Sequence, residues 1–168
     1  MTALVHIPVG VVVKRQKAAS PWIEYTWRPM SILVGEPATP PWTLLASEGD
    51  SATFYAGTAY VALHPTETAN YRDNLAGDAA LWVVLRPTET DPPYDVFAVT
   101  ADPSEGEAFT AAGSDLVDYV PMPDKVREIV AAFVAEHHVE ETFFKRERKP
   151  ADPEALARRG PRREGHDE

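Results

Sequence analysis

The sequence contains no cysteine. That excludes disulfides, thiolate metal sites, iron–sulfur ligation and a cysteine nucleophile. It also lacks any run of about 18 apolar residues, the length a spanning helix needs, so no membrane span is expected. No G-x-S-x-G, H-E-x-x-H or glycine-rich phosphate loop occurs, which removes the usual motif-based routes to hydrolase, zinc-protease or nucleotide-binding function. No catalytic residue is assigned. Basic residues are scarce over most of the chain: positions 1–144 hold 8 Lys and Arg against 20 Asp and Glu, net −12. Such a body repels phosphate backbones and argues against nucleic acid as a partner. It favours solubility and a basic partner surface. The stretch MTALVHIPVGVVVKRQ does not read as an export signal. No basic residue precedes its apolar run, Pro8 and Gly10 interrupt it, and no small-residue cleavage site follows. A cytoplasmic location is the expectation.

What the sequence does hold is enough apolar material for one core. At 168 residues and 44% hydrophobic, it belongs to the globular class, with length for a single domain and some extra. The first half reads as strands: HIPVGVVVKRQ, a second from about Trp22 to Val34, PWTLLASEG, and SATFYAGTAYVALHP after a Gly49-Asp50 turn. HPTETANYRDNLAGD reads as a short helix with Pro65 in its first turn. LWVVLRP and DVFAVTA are further strands, DPSEGEAFTAAG a second short helix opening at Asp102-Pro103, and SDLVDYVPMP a last strand. No repeat period emerges.

The strongest periodicity lies in DKVREIVAAFVAEHH. Val126, Ile129, Val130, Phe133, Val134 and His137 recur at helical spacing, with Lys125, Arg127, Glu128 and Glu136 opposite them. This stripe predicts a helix over 124–137 that docks on the sheet. Beyond it the chain is charged, interrupted by proline and poor in large apolar groups. From Lys145 onward it carries 8 basic and 6 acidic residues, net +2. Such a segment cannot bury enough surface to offset its ordering entropy. The expected organisation is one α+β domain over about 3–143 and a disordered charged tail over 144–168. The domain is expected to hold a largely antiparallel sheet of six to seven strands, two short helices and the amphipathic C-terminal helix.

Candidate sites are few. In SPWIEYTWRPMSILVG, a regular strand would put Trp22 and Trp27, five residues apart, on opposite faces. Trp27 would join Ile23 and Tyr25 on the core face. Trp22, half-buried at a sheet margin, would share the wetter face with Glu24, Thr26 and Arg28 and serve as the exposed anchor of the stretch. Trp22 and Arg28 are therefore candidate interaction residues. A pocket near Trp22, Arg28 and Arg86 would instead suit a small-ligand sensor. In HHVEE, His137 and Glu141 fall one helical turn apart, a spacing that suits a shared divalent metal. The plainer reading closes the apolar stripe with His137 and leaves His138 and the glutamates solvated. Asp115 and Asp118 fall on opposite faces of a strand, which suits solvation better than acid–base chemistry. Finally, Phe143 and Phe144 stand directly before Lys145, Arg146, Arg148 and Lys149. One ring is expected to cap the core, and the rest forms a short apolar anchor flanked by positive charge, a docking element for an acidic patch in cis or in trans.

Several segments taken in order, IPVGVVVKRQ, SPWIEYTWRP, ETANYRDNL, LWVVLRP, VPMP and FVAEHHVEETFFKRERK, resemble an uncharacterised bacterial family, the domain-of-unknown-function family 3305. Its genes often lie near those of molybdenum-dependent formate dehydrogenase and its accessory factors. The resemblance covers roughly 5–149 and brings no catalytic or ligand residues with it. It implies a non-catalytic accessory or interaction protein whose partner is a formate dehydrogenase subunit or accessory factor. A ligand- or metal-binding sensor is the alternative, and a small enzyme the third reading. No cofactor is expected, because a structural metal needs a converging ligand set and two spaced residues do not make one. Exhaustive chelation followed by a thermal melt should leave the melting temperature unchanged, and a large drop would restore the HHVEE metal site.

Overall fold

In the computed structural model, residues 3–148 are described, with side chains through 138. The chain is α+β with antiparallel sheets, as the pattern of elements predicts. Strand β1 (Val5–Lys17) lies between β2 (Tyr25–Val34) and β4 (Ser51–Leu63), and β3 (Thr43–Glu48) continues the sheet beyond β4. All these pairings are antiparallel. The remaining strands form a second sheet, with β5 (Ala80–Pro87) between β6 (Tyr94–Thr100) and β7 (Leu116–Pro121). Seven strands were within expectation. Their division into two sheets was not legible, because it depends on which strand edges meet rather than on which segments are strands.

The two sheets face each other, with β4 against β6 and β2 against β7. Alternation along β1 sends Ile7, Val9, Val11 and Val13 inward, each 3% exposed or less. They meet Val61 and Leu63 of β4, Leu81, Val83 and Leu85 of β5, and Val99 and Val120 of the neighbouring strands in one cluster. On the opposite face of β1 the Tyr55 ring crosses Gly10 so closely that a Cβ there would lie 2.6 Å from a ring carbon. Only glycine permits that approach. Since β2 and β3 are the two edges of their sheet, the 35–42 connection must travel from one edge to the other. On the way the Glu36 carboxylate comes near the Tyr60 hydroxyl and raises that phenol above its ordinary pKa.

The helices close the remaining apolar surface. A 3-10 turn, Pro65–Glu67, leads into α1 (Thr68–Ala76). Helix α2 (Pro103–Ala112) starts where the sequence predicts: Asp102 accepts hydrogen bonds from the Ser104 and Glu105 amides at 2.9 and 3.4 Å, and proline follows it. It lies flush on the outer face of β5, since a Cβ on Gly106 would sit 2.5 Å from the Trp82 ring. Helix α3 (Asp124–Arg148) packs on α1 and the 3-10 turn. Val126, Val130, Phe133 and Val134 enter the common core, and the Phe133 ring centroid lies 6.2 Å from that of Tyr71. The helix runs past 137, where its apolar stripe ends, and through 144, where the charged tail was expected to begin. No glycine or proline occurs between Pro123 and Pro150 to stop it. Among the described residues, no helix is long and apolar enough to cross a membrane.

Core and surface aromatics should therefore separate in denaturant titrations. Phe133→Ala removes a buried ring and should cost about 3–5 kcal/mol. Trp22→Ala, at a position 90% exposed, should shift stability by less than about 0.5 kcal/mol. Equal losses would place Trp22 in the core.

Candidate functional site

The apolar alternation of β1 ends at Val13, but the strand does not. Lys14, Arg15, Gln16 and Lys17 remain paired with Arg28, Trp27, Thr26 and Tyr25 of β2, so the hairpin carries a charged end beyond the core. A loop closes it, with the Ala18 amide bonded to the Glu24 carbonyl at 3.0 Å. At its tip the Trp22 amide donates to the Ser20 hydroxyl at 3.1 Å. The Trp22 ring is 90% exposed and Ile23 53% exposed. This corrects the expectation of a half-buried Trp22. The strand begins only at Tyr25, so the face assignment made for Trp22 and Ile23 by strand alternation does not apply. Pro21 and the Ser20 turn hold both residues in the loop instead.

Within the strand the alternation holds. Trp27 faces inward, with ring centroids 5.8 Å from Trp42, 6.0 Å from Phe54, and 6.3 Å from both Tyr25 and Tyr94. Arg15 shares this face. Its guanidinium carbon lies 4.2 Å from the Tyr25 centroid, 5.2 Å from Phe54 and 5.9 Å from Trp27. The Arg15 Nε is buried and meets no hydrogen-bond acceptor among the described residues. The negative faces of the rings receive the cation instead. Beside this stack, a cleft of about 490 Å³ is lined by Arg15, Glu24, Tyr25, Trp27, Thr90, Asp91 and Pro93. The opposite face of the hairpin carries a smaller hollow of about 280 Å³, lined by Lys14, Gln16, Thr26, Trp27 and Arg28.

A third cleft, about 430 Å³, opens between the 3-10 turn, α1 and the start of α2, where Glu67, Asp102 and Glu105 gather around Tyr71. Its polar groups are engaged with one another. Asp102 caps α2 with one oxygen and accepts from Asn70 Nδ2 at 3.3 Å with the other. Glu105 accepts from the Thr100 hydroxyl at 2.6 Å, and the Tyr71 hydroxyl accepts from the His64 amide at 2.9 Å. These contacts seat α2 against α1. Burial pushes the Tyr71 phenol up to about 12; the nearby carboxylates add to this and the His64 amide opposes it.

The other sequence candidates disperse. Arg86 makes a bidentate pair with Asp115, at 3.0 and 2.8 Å, and lies 3.5 Å over the Phe97 ring. Its hydrogen bond holds the Asp115 carboxyl below the usual range. The hollow that Arg28 lines contains neither Arg86 nor Trp22. His137 stacks on Phe133 with centroids 4.4 Å apart and lies 3.9 Å from Glu136, while His138 Nδ1 meets the Thr68 hydroxyl at 3.4 Å. His138 is thus a contact to α1 rather than a solvated end. Glu141, Phe143, Phe144, Lys145, Arg146, Arg148 and Lys149 lie outside the residues whose side chains are described. Among the described residues, no three His, Asp or Glu side chains converge as a metal site. Sequence reasoning missed Arg15 and Lys14. The signal was available, since KRQK continues a strand pattern beyond its last valine.

The Tyr71 shift has a measurable consequence. A phenol with a folded pKa near 12 stays neutral while the unfolded chain ionises from about 10. Its contribution is therefore complete below pH 10 and is lost as pH rises through about 12. Two units correspond to about 2–3 kcal/mol. Stability measured from pH 9.5 to 12 should fall more steeply for the native chain than for Tyr71→Phe. Parallel curves would show that the phenol is not held neutral.

No curated protein and no solved structure matches the chain. A family model does: the one described as a protein of unknown function (DUF3305) aligns with residues 8–148. That span starts at Pro8 within β1 and runs to the end of α3, so the chain belongs to the DUF3305 family of proteins of unknown function.

Proposed function

We propose that this chain is a non-catalytic cytoplasmic accessory protein. It works by binding a partner protein in the maturation, assembly or regulation of molybdenum-dependent formate dehydrogenase. The observation that carries the binding role is the Trp22 ring, 90% exposed at the tip of a hairpin whose base is locked by aromatic packing. An indole left in water forgoes the stabilisation that burial would give it. Tryptophan and arginine are also the residues on which interface energy concentrates. The most acidic cleft fits the same reading, since Asp102 and Glu105 there are occupied in capping and seating helices. The choice of formate dehydrogenase rests on the ordered resemblance of segments and the gene neighbourhood it implies.

A photo-crosslinking amino acid at position 22, introduced in the native host during formate dehydrogenase expression, tests this. It should yield an adduct with a formate dehydrogenase subunit or accessory factor, identified by mass spectrometry. The same probe at position 128, on the exposed side of α3, should not. Adducts no different from those at position 128 would refute the binding role of the hairpin.

A further inference from the structure

Half of the basic residues in positions 1–144 lie within fifteen residues. Lys14, Arg15, Lys17 and Arg28 are four of the eight, and Glu24 is the single acid among positions 14–28, a local net of +3. The rest of that body holds four basic and nineteen acidic residues. The fold sorts these cations between two faces: Asp91 and Glu24 join Arg15 on the inner side, while Lys14 and Arg28 line a hollow on the other. Lys14 and Arg28 are directly opposed across the β1–β2 ladder, and Gln16 and Thr26 form the next pair on the same face. Like charges placed directly opposite destabilise a sheet. A neighbouring carboxylate would relieve the pair, yet among the described residues the Lys or Arg to carboxylate pair is Arg86–Asp115, and none reaches Lys14 or Arg28. The hollow between them is lined by two cations, an amide, a hydroxyl and the edge of Trp27, with no carboxylate. The cleft on the other side of the hairpin combines Arg15 with Glu24 and Asp91 and has no such preference for an anion.

Resting on the reading of this chain as a binding module, we propose that the outer face of the β1–β2 hairpin docks an acidic peptide segment of the partner protein. Carboxylates of the segment lie between Lys14 and Arg28, and an apolar side chain packs on Trp22 or Ile23. The charge pattern favours a peptide over a nucleic acid. The positive area is one hairpin end on a body that otherwise repels a long phosphate backbone, whereas a short acidic segment meets only the hairpin. A positive end on a negative body would also orient an acidic partner before contact.

The test uses the full chain and a fluorescein-labelled decapeptide of alternating glutamate and leucine. Its glutamine counterpart and a ten-nucleotide single-stranded DNA serve as competitors. The glutamate peptide should bind, with amide shifts in nitrogen-15 NMR gathered on residues 14–28, and should weaken at least about fivefold between 20 and 300 mM salt. Lys14→Glu combined with Arg28→Glu should weaken it about tenfold or more, whereas Lys125→Glu on α3 should leave it unchanged. If the double reversal fails to fold, Lys14→Gln with Arg28→Gln should still produce a clear loss. Equal binding of the glutamate and glutamine peptides, or no binding of either, overturns the inference. So does tighter binding of the DNA, or an equal effect of Lys125→Glu. Crosslinking at position 22 to a formate dehydrogenase protein, alongside indifference to peptide charge, would leave the binding module standing and remove the acidic segment. Charge-dependent peptide binding without that crosslink would do the reverse.

Discussion

The structure depends on one mismatch: β1 is thirteen residues long, but its buried alternation ends at Val13. Up to that point the strand is the centre of the core, paired on both sides and facing the second sheet. Beyond it, both ladders continue through Gln16, and the β2 ladder through Lys17. Backbone hydrogen bonds on two flanks therefore hold four polar or charged residues in extended geometry beyond the last buried valine. A charged loop in the same place would be adaptable and entropically expensive to order. A charged extension of a central strand is already ordered. Arg15 shows how the transition is managed: its stem continues the inner face while its guanidinium spreads over Tyr25, Phe54 and Trp27.

Most elements were legible because their signals are local. Strand alternation, the Gly49-Asp50 turn, the Asp102-Pro103 cap and the 126–134 stripe each depend on residues a few positions apart, and each appears where those residues put it. What was not legible depends on distant partners. Two sheets replace one because β5 takes β6 and β7 as neighbours, and nothing in LWVVLRP names them. Trp22 escaped because its exposure turns on a three-residue question, whether β2 begins at Trp22 or at Tyr25, and strand ends are set by loop closure. The candidate site was half visible for the same reason. Arg28 and Trp22 drew attention as isolated types, whereas Lys14 matters only through its cross-strand register with Arg28.

Charge illustrates the same limit. The sum over positions 1–144, net −12, describes solubility and the far field. It pointed toward a basic partner. Within about one Debye length of the hairpin the local arrangement counts as well, and there Lys14 and Arg28 line a hollow that holds no carboxylate. Both statements are true at different distances. A partner approaching from afar meets an acidic body, positions 1–144, with half of its basic residues gathered at one hairpin, which restricts productive orientations before any contact forms.

Rigidity at the base of the hairpin completes the arrangement. Trp42 adopts a φ of +63°, a left-handed conformation that costs a non-glycine residue about 1–2 kcal/mol. The ring this backbone places lies 5.8 Å from Trp27 and 6.0 Å from Phe54, with centroids in edge-to-face geometry, and fills the gap between β2 and β4. Strain at the start of β3 is thus converted into a fixed position for Trp27, and Trp27 is the strand partner of Arg15. Because Lys14 and Arg28 are the immediate neighbours of those two residues on the opposite face, packing beneath the sheet fixes the spacing of charges above it. On the strand part of this surface, binding immobilises the two long side chains of Lys14 and Arg28 but no strand backbone. The ordering cost that weakens most loop-borne interfaces is therefore already met by folding.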